Sequence, residues 1–287
     1  MVTHGNGPQV GSLLREAELG SAQVPMPPLH VLGAETQGQL GFLIAQELEG
    51  ELRRKGIART VLPIVSRVEV RPDDPAFLTP TKPVGQFYPA RMAHDFARRL
   101  GWTVREDPSR GGWRRVVPSP IPCRWLEGAA VRRLLDAGFG ATMVPVVTGG
   151  GGIPVVRRRG RWEGVDAVID KDRAAALVGT TLGAETLAIV TDVPGAAIGF
   201  RSGHPEWLGR VGMDELERYW RRGEFGEGSM GPKVEAGLRF LRAGGRRFTI
   251  SDVAHLPAAL AGRAGTRVDL SAGRRSDRSP PRGPRAR

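Results

Sequence analysis

The sequence predicts an α/β fold in which helices cover both faces of a mostly parallel, open sheet. Apolar, β-branched segments alternate along the chain with segments of helical periodicity, which is the pattern that such folds produce. A hydrophobic content of 40% and a charged content of 25% over 287 residues suit a globular chain with a substantial core. The predicted strands span 60–70, 142–148, 187–191 and 247–251, and the predicted helices span 35–55, 129–137, 172–178, 214–220 and 232–243.

Two segments depart from this alternation. Residues 72–122 are rich in Pro and Gly and show little periodicity, so we predict a small protruding lid subdomain there rather than sheet core. Residues 271–287 hold six Arg against one Asp and few apolar side chains, which predicts a disordered basic tail. The remaining residues, 1–270, are expected to form one domain that includes the subdomain.

Composition narrows the class of protein. No apolar run approaches the ~20 residues that span a bilayer, and the first residues do not resemble a signal peptide. The single cysteine, Cys123, cannot form an internal disulfide; we expect it to be a structural thiol in a reducing, cytoplasmic location. The five histidines are scattered without metal-ligand spacing, so no metal site is predicted. We therefore expect a soluble cytoplasmic protein with no membrane partner.

The net charge of +12 raises the question of a nucleic-acid partner. The basic tail alone supplies a large part of that charge, and the rest is spread along the chain without a nucleic-acid motif. A nucleic-acid partner is therefore not predicted.

Lysine is scarce in this chain. Of 42 basic residues only four are Lys, so the lysines that remain are candidates for positions where a compact ammonium is needed instead of a planar guanidinium. Surface lysines that drift spared are the alternative. Lys55 lies at an expected helix end, where a cation is favourable for the helix dipole. Lys82, Lys171 and Lys233 lie in unusual local sequences and are the candidates for a functional role.

Two glycine loops could hold an anion. Gly149, Gly150, Gly151 and Gly152 follow a predicted strand, where backbone N–H groups can converge on a phosphate because no Cβ blocks the approach. A plain flexible turn is the alternative. The opening loop with Gly5, Asn6 and Gly7 leads into a possible helix, whose N-terminus could bind an oxyanion.

Acidic residues accompany these loops. Asp170, Lys171 and Asp172 open a predicted helix, and Asp192 ends a predicted strand at the sheet edge where α/β proteins bind ligands. Neutralising and positioning a transferred phosphoryl group requires this kind of arrangement. Together with the three lysines, the pattern predicts phosphoryl transfer.

Six stretches of the chain resemble the carbamate kinases of the amino acid kinase superfamily. They are 4–11 (HGNGPQVG), 74–85 (DPAFLTPTKPVG), 113–120 (WRRVVPSP), 149–155 (GGGGIPV), 164–172 (GVDAVIDKD) and 228–233 (GSMGPK). The resemblance implies an αβα sandwich around an eight-stranded, mainly parallel sheet. It also implies reversible phosphoryl transfer between ATP and carbamate, with ADP and carbamoyl phosphate as products, Mg²⁺ as cofactor, a homodimer, and a place in arginine metabolism.

The resemblance also assigns roles to residues. It places Lys82 on the carbamoyl phosphate, Lys171 and Lys233 beside the transferred phosphoryl group, and Asp172 where it orients them. It places Gly5, Asn6 and Gly7 on the carbamate side of the site. The residues that it places on the nucleotide side are Gly149, Gly150, Gly151, Gly152, Asp192, Met230 and Lys233.

The sequence departs from the family pattern before residue 4, and this leaves other functions possible. The family's usual first strand, Gly-Gly-Asn loop, helix and second strand do not precede HGNG in this sequence. A misassigned start codon and a truncated remnant are both compatible with that, and the DNA upstream of Met1 would distinguish them. A related kinase for another small acid, or a non-catalytic nucleotide-binding protein, are the alternative functions.

Overall fold

A computed structural model describes residues 1–107, 111–199, 203–226 and 229–270. The predicted basic tail lies outside the described residues. The helices are α1 (Gly7–Gly20), α2 (Leu29–Arg54), α3 (Ala90–Leu100), α4 (Gly128–Asp136), α5 (Lys171–Leu182), α6 (Met213–Arg221), α7 (Met230–Arg242) and α8 (Leu256–Leu260). The strands are β1 (Thr60–Pro63), β2 (Arg67–Val70), β3 (Lys82–Tyr88), β4 (Val104–Asp107), β5 (Gly112–Val117), β6 (Pro122–Trp125), β7 (Met143–Val146), β8 (Ile153–Arg158), β9 (Arg161–Gly164), β10 (Thr186–Thr191), β11 (Ala197–Ile198), β12 (Glu206–Trp207), β13 (Arg247–Asp252) and β14 (Thr266–Asp269).

Three of the pairings between the described strands are parallel, and they connect strands that are distant in sequence. They join β1 to β7, β2 to β8 and β10 to β13. The antiparallel pairings lie in hairpins, at β14, between β2 and β6, and in the 82–117 segment. The predicted α/β class is confirmed. The hydrogen-bonded ladders of the described residues divide into five sheets of two to four strands, whereas the resemblance implied one sheet of eight strands.

The prediction of one strand over 60–70 is wrong. The segment breaks into β1 and β2 because the Gln37 side chain inserts at Ser66: the Ser66 N–H donates to Gln37 Oε1 at 2.7 Å, and Gln37 Nε2 donates to the Ser66 carbonyl at 3.2 Å. The two halves pair with different partners, β7 and β8. A side chain from α2 therefore replaces ladder hydrogen bonds at a point where the strand pattern of the sequence continues.

Helix α2 starts six residues before the predicted helix at 35–55. Its N-cap position is Pro28, which has no side chain able to accept a hydrogen bond from the first turn. The Asp166 carboxylate fills this role from a distant part of the chain, since the Leu29 N–H donates to Asp166 Oδ1 at 2.9 Å. A cap that comes from another segment leaves no local sequence signal.

The 82–117 segment carries its own small sheet. Strand β5 pairs antiparallel with both β3 and β4, and helix α3 connects β3 to β4. Lys82 is the first residue of β3 and lies opposite Val117, the last residue of β5. We call residues 82–117 the Lys82 subdomain.

Buried side chains form three clusters. One lies between α7 and the β10–β13–β14 sheet around Phe240, Phe248 and Ile250. A second joins the Lys82 subdomain to α1 and α2, and a third packs α4 and α5 against β2 and β8. No helix in the described ranges is both long and apolar enough to cross a membrane.

Candidate active site

An open cavity of ≈ 480 Å³ is bordered by residues of the second and third clusters, among them Val84 and Ile169. The N-termini of α1, α5 and α7 all border it, through Gly7, Lys171 and Ser229. Each of these helices is at least 12 residues long, so each presents the positive end of its dipole to the cavity. Three helix N-termini directed at one space favour an anionic ligand.

Asp170 fixes the start of α5. Its Oδ1 accepts hydrogen bonds from the N–H groups of Asp172 at 2.9 Å and Arg173 at 3.3 Å, so it is the N-cap of the helix. Its other oxygen, Oδ2, accepts from Lys82 Nζ at 3.0 Å. One carboxylate thus holds the helix end and the lysine of the Lys82 subdomain.

The charge of Asp170 is stabilised despite its burial. Burial by itself would raise the pKa of this carboxyl, but attraction to the Lys82 ammonium and hydrogen bonds from Lys82, Asp172 and Arg173 outweigh burial. The pKa of Asp170 therefore lies below its ordinary value, and the Lys82–Asp170 pair is an ion pair at neutral pH.

Lys233 forms the second lysine–aspartate pair. Its Nζ donates to Asp172 Oδ2 at 3.2 Å and to the Ser229 carbonyl at 3.3 Å. The side chains of Lys233 and Asp172 are only 10% and 8% exposed. This pair ties the N-terminus of α7 to the N-terminus of α5.

Lys171 differs from the other two lysines. Within the described part of the chain it forms no ion pair, and its side chain passes along the opening loop. The Lys171 Cδ lies 3.2 Å from the point where a Cβ on residue 5 would sit, so glycine at position 5 leaves the space that the lysine stem occupies. An ammonium without a carboxylate partner is available for an anionic ligand.

The four-glycine run packs tightly against other backbone and side chains. A Cβ at Gly149 or Gly150 would overlap the side chains of His4 or Asn6, and Gly150, Gly151 and Gly152 all have positive φ angles. The N–H groups of these last three glycines donate to the carbonyls of His4, Thr148 and Gly149. The run therefore allows two loops to interlock, and three of its four N–H groups already have protein acceptors.

Most of the site residues that were predicted from the sequence line the cavity. Its walls include Gly5, Asn6, Gly7, Lys82, Gly150, Lys171, Asp172, Asp192 and Lys233. Gly149 and Gly152 border a smaller adjoining space that shares Asn6 and Gly150. Met230 and Gly151 are in neither wall; Met230 packs against the cluster around Phe240. The roles predicted for these residues stay predictions.

Sequence reasoning missed Arg114 and Ser229 as cavity residues, and it named Asp170 without giving it a role of its own. Asp170 did carry a signal, because an Asp directly before a helical segment is typical of an N-cap. Its pairing with Lys82, 88 residues earlier, had none. Within the described residues, no group of three or more His, Cys, Asp or Glu side chains is arranged to hold a metal ion.

Comparison with known proteins agrees with this geometry. The sequence model of the amino acid kinase family matches residues 1–252. The chain therefore belongs to the amino acid kinase family.

Similar proteins indicate which kinases of this family the chain resembles. A protein of Thermococcus kodakarensis named carbamate kinase is 46% identical over 93% of this chain and 84% of its own length. One from Pyrococcus horikoshii, with the same name, is 44% identical over the same shares. The solved structure of Giardia lamblia carbamate kinase bound to AMP-PNP superimposes with a TM-score of 0.83 at 38% identity, covering 93% of this chain and 83% of the other.

Proposed function

We propose that the protein is a carbamate kinase, which transfers a phosphoryl group reversibly between ATP and carbamate. The observation that carries the proposal is the convergence of three helix N-termini and three lysines on one cavity. Two relatives and one solved structure bear the name carbamate kinase. This chain covers more than four fifths of the length of each of them.

The chemistry needs positioning and charge neutralisation more than proton transfer. A carbamate oxygen attacks the terminal phosphorus of ATP, the new O–P bond forms, and the bond from phosphorus to the bridging oxygen breaks to release ADP. Carbamate is already an anion, so no general base has to remove a proton. In the reverse direction a terminal oxygen of ADP attacks carbamoyl phosphate, and carbamate leaves.

Each of the three lysines has its own role in the phosphoryl transfer. Lys171, which has no carboxylate partner in the described residues, contacts the transferred phosphoryl group and compensates its charge in the transition state. Lys233, held by Asp172 and the Ser229 carbonyl, contacts the same group and the nucleotide phosphates from the α7 side. Lys82 enters from the Lys82 subdomain and binds the carbamoyl end.

The two substrates share this cavity. Gly5, Asn6 and Gly7 line the carbamate side at the start of α1. Of the residues that the resemblance assigns to the nucleotide, Gly150 and Asp192 line this cavity and Gly149 and Gly152 border the adjoining space, whereas Gly151 and Met230 are in neither wall. The Giardia relative was solved with AMP-PNP, which supports a nucleotide site in this fold.

Mg²⁺ would bind together with the nucleotide phosphates. Asp170 and Asp172 are engaged by lysines, whereas Asp192 has a hydrogen bond only from the neighbouring Thr191 hydroxyl among the described residues. One free carboxylate fits an ion that is held mainly by phosphate oxygens and water. The Asp192 carboxylate would hold the ion, which would neutralise phosphate charge.

Three finer proposals rest on the family resemblance. The protein acts in the cytoplasm, in arginine metabolism, and as a homodimer. Exposed apolar side chains on α2, Phe42 at 62% and Leu43 at 46%, are compatible with a partner surface. Light scattering on the purified chain measures the mass, and a monomer at all concentrations would exclude the dimer.

A substrate panel tests the proposal against a related small-acid kinase. ADP release is measured with ATP, Mg²⁺ and either carbamate, acetate, aspartate or glutamate. We expect carbamate alone to be phosphorylated efficiently. Higher kcat/KM with another acid would favour the sister kinase, and ATP binding without turnover of any acid would favour a non-catalytic binding protein.

A further inference from the structure

The Lys82 subdomain is held to the body of the protein by a charged contact that has no part in the chemistry above. Arg115, in the middle of β5, donates through Nη2 to Asp166 Oδ2 at 3.2 Å. The Arg115 side chain is 10% exposed and its guanidinium lies over the Trp102 ring, 4.5 Å from the ring centre. Burial lowers the pKa of Arg115 and the negative charge of Asp166 opposes that decrease.

Asp166 connects three parts of the molecule. Besides Arg115, its Oδ1 accepts from the Leu29 N–H at the start of α2 and lies 3.4 Å from His30 Nδ1. It belongs to the segment between β9 and α5, four residues before Asp170. A further hydrogen bond, from the Val168 N–H to the Pro118 carbonyl at 2.9 Å, joins this segment to the end of β5.

The register of the subdomain sheet places this contact next to Lys82. Arg115 pairs with Val84 and Val117 pairs with Lys82, so these four residues lie on one face of the β3–β5 ladder. Val84 and Val117 of that face are buried against Val10 and Leu14 of α1. A displacement of Arg115 therefore moves the strand ends that carry Lys82.

We propose that Asp166 is a positioning residue that sets where Lys82 stands in the cavity. This inference rests on the proposed function, because it concerns the carbamoyl end of that site. Asp166 acts through Arg115 and touches no substrate. Small displacements of a binding group have large kinetic consequences, so a contact outside the cavity can control the affinity for one substrate.

Other contacts also hold the subdomain, which limits the expected effect. The Tyr88 hydroxyl donates to the buried Glu18 carboxylate of α1, and the apolar face remains packed. Loss of the Asp166 charge therefore loosens the subdomain without releasing it.

The substitution Asp166→Asn tests the proposal. Asn keeps an oxygen that can accept from the Leu29 N–H, so α2 stays capped, while the charge that holds Arg115 is lost. We expect KM for carbamoyl phosphate to rise about three- to tenfold, with KM for ADP within about twofold and a small change in Tm.

Two further variants complete the experiment. Asp136→Asn is the matched control, because Asp136 forms an Arg–Asp pair with Arg132 on the exposed face of α4, and we expect it to change neither KM. In Arg115→Gln, adding Asp166→Asn should cause no further rise in KM for carbamoyl phosphate, since the two residues act as a unit. Unchanged constants in Asp166→Asn, or a parallel rise of both KM values with a large fall in Tm, would overturn the proposal.

Amide hydrogen exchange gives a readout that does not need activity. In Asp166→Asn we expect faster exchange over 82–88 and 112–117, with α2 unchanged, and equal exchange in variant and wild type would refute the positioning role. If the wild type forms no ATP, the proposed function fails while this measurement still decides whether Asp166 holds the subdomain.

Discussion

Lys233 and Lys82 reach the same cavity from two differently built regions. Lys233 stands on α7, whose other side packs into the buried cluster around Phe240 and Phe248, and its pair with Asp172 is almost fully buried. Lys82 starts the edge of a small sheet, and its side chain is 36% exposed although its partner Asp170 is 10% exposed. The first lysine is buried in the body of the fold, and the second is partly exposed on a separate small sheet.

This difference suggests a division between chemistry and capture. A rigid, preorganised cation is best suited to stabilise charge in the transition state. A partly exposed cation at the cavity edge can meet a substrate as it enters. Changes to the two lysines should therefore affect different kinetic constants.

Lys171→Ala should give the largest effect on turnover. Lys171 forms no ion pair in the described residues, so its ammonium is free to act on the phosphoryl group, and we expect kcat to fall about 10²- to 10³-fold. Nucleotide affinity and Tm should change little. Steady-state kinetics with nucleotide titration measures this, and Lys55→Ala, at the far end of α2, is the control. Unaltered turnover would remove Lys171 from the mechanism.

Lys233→Met should damage both stability and catalysis. It leaves the Asp172 charge buried without its partner, which costs about 3–5 kcal/mol of unfolding free energy. Adding Asp172→Asn removes the unpaired charge and should restore much of the stability but none of the activity. Denaturant unfolding and kcat, measured on both variants, check this. Full activity in either variant would contradict the role of Lys233 as a fixed catalytic cation.

Lys82→Met should affect substrate capture more than stability. We expect KM for carbamoyl phosphate to rise about tenfold and unfolding free energy to change by no more than about 1 kcal/mol, since the pair with Asp170 is partly exposed. KM for ADP should stay the same. An equal increase in both KM values would show that the two regions are not functionally distinct.

The smallest expected effect is the pH dependence of the contribution that Asp170 makes to the stability of the fold. The folded-state pKa of Asp170 lies below the ordinary value of 3.8, so the ionised carboxylate stabilises the fold at neutral pH, and that stability is lost as pH falls below this value. Asp170→Asn keeps the helix cap and removes the charge. The variant should be less stable than the wild type at pH 7, and the difference should disappear as the pH falls through the lowered pKa of Asp170. A stability difference that persists in acid would contradict this account.

The sequence was informative where chemistry restricts residue choice. Against an arginine-rich background the three lysines stood out, and the structure brings all of them to one cavity. The α/β class followed from alternating patterns that each element carries locally. The strand break at Ser66 and the early start of α2 could not be predicted, because Gln37 and Asp166 act on them from 29 and 137 residues away.

The glycine run shows a second limit of prediction from sequence. Four glycines after a strand fit an anion-binding loop, yet in the structure they make room for His4 and Asn6. Both explanations require residues without a Cβ, so composition alone cannot separate them. The residues that pack against the run, His4 and Asn6, lie near the N-terminus. They can be identified only when the fold is known.

The most direct test of the central claim is ATP formation from ADP, Mg²⁺ and carbamoyl phosphate by the purified chain. We predict ATP formation that depends on carbamoyl phosphate, is lost in Lys171→Ala, and needs higher carbamoyl phosphate in Lys82→Met. A folded protein that binds nucleotide but forms no ATP from these substrates would contradict the assignment of this cavity to carbamate phosphorylation.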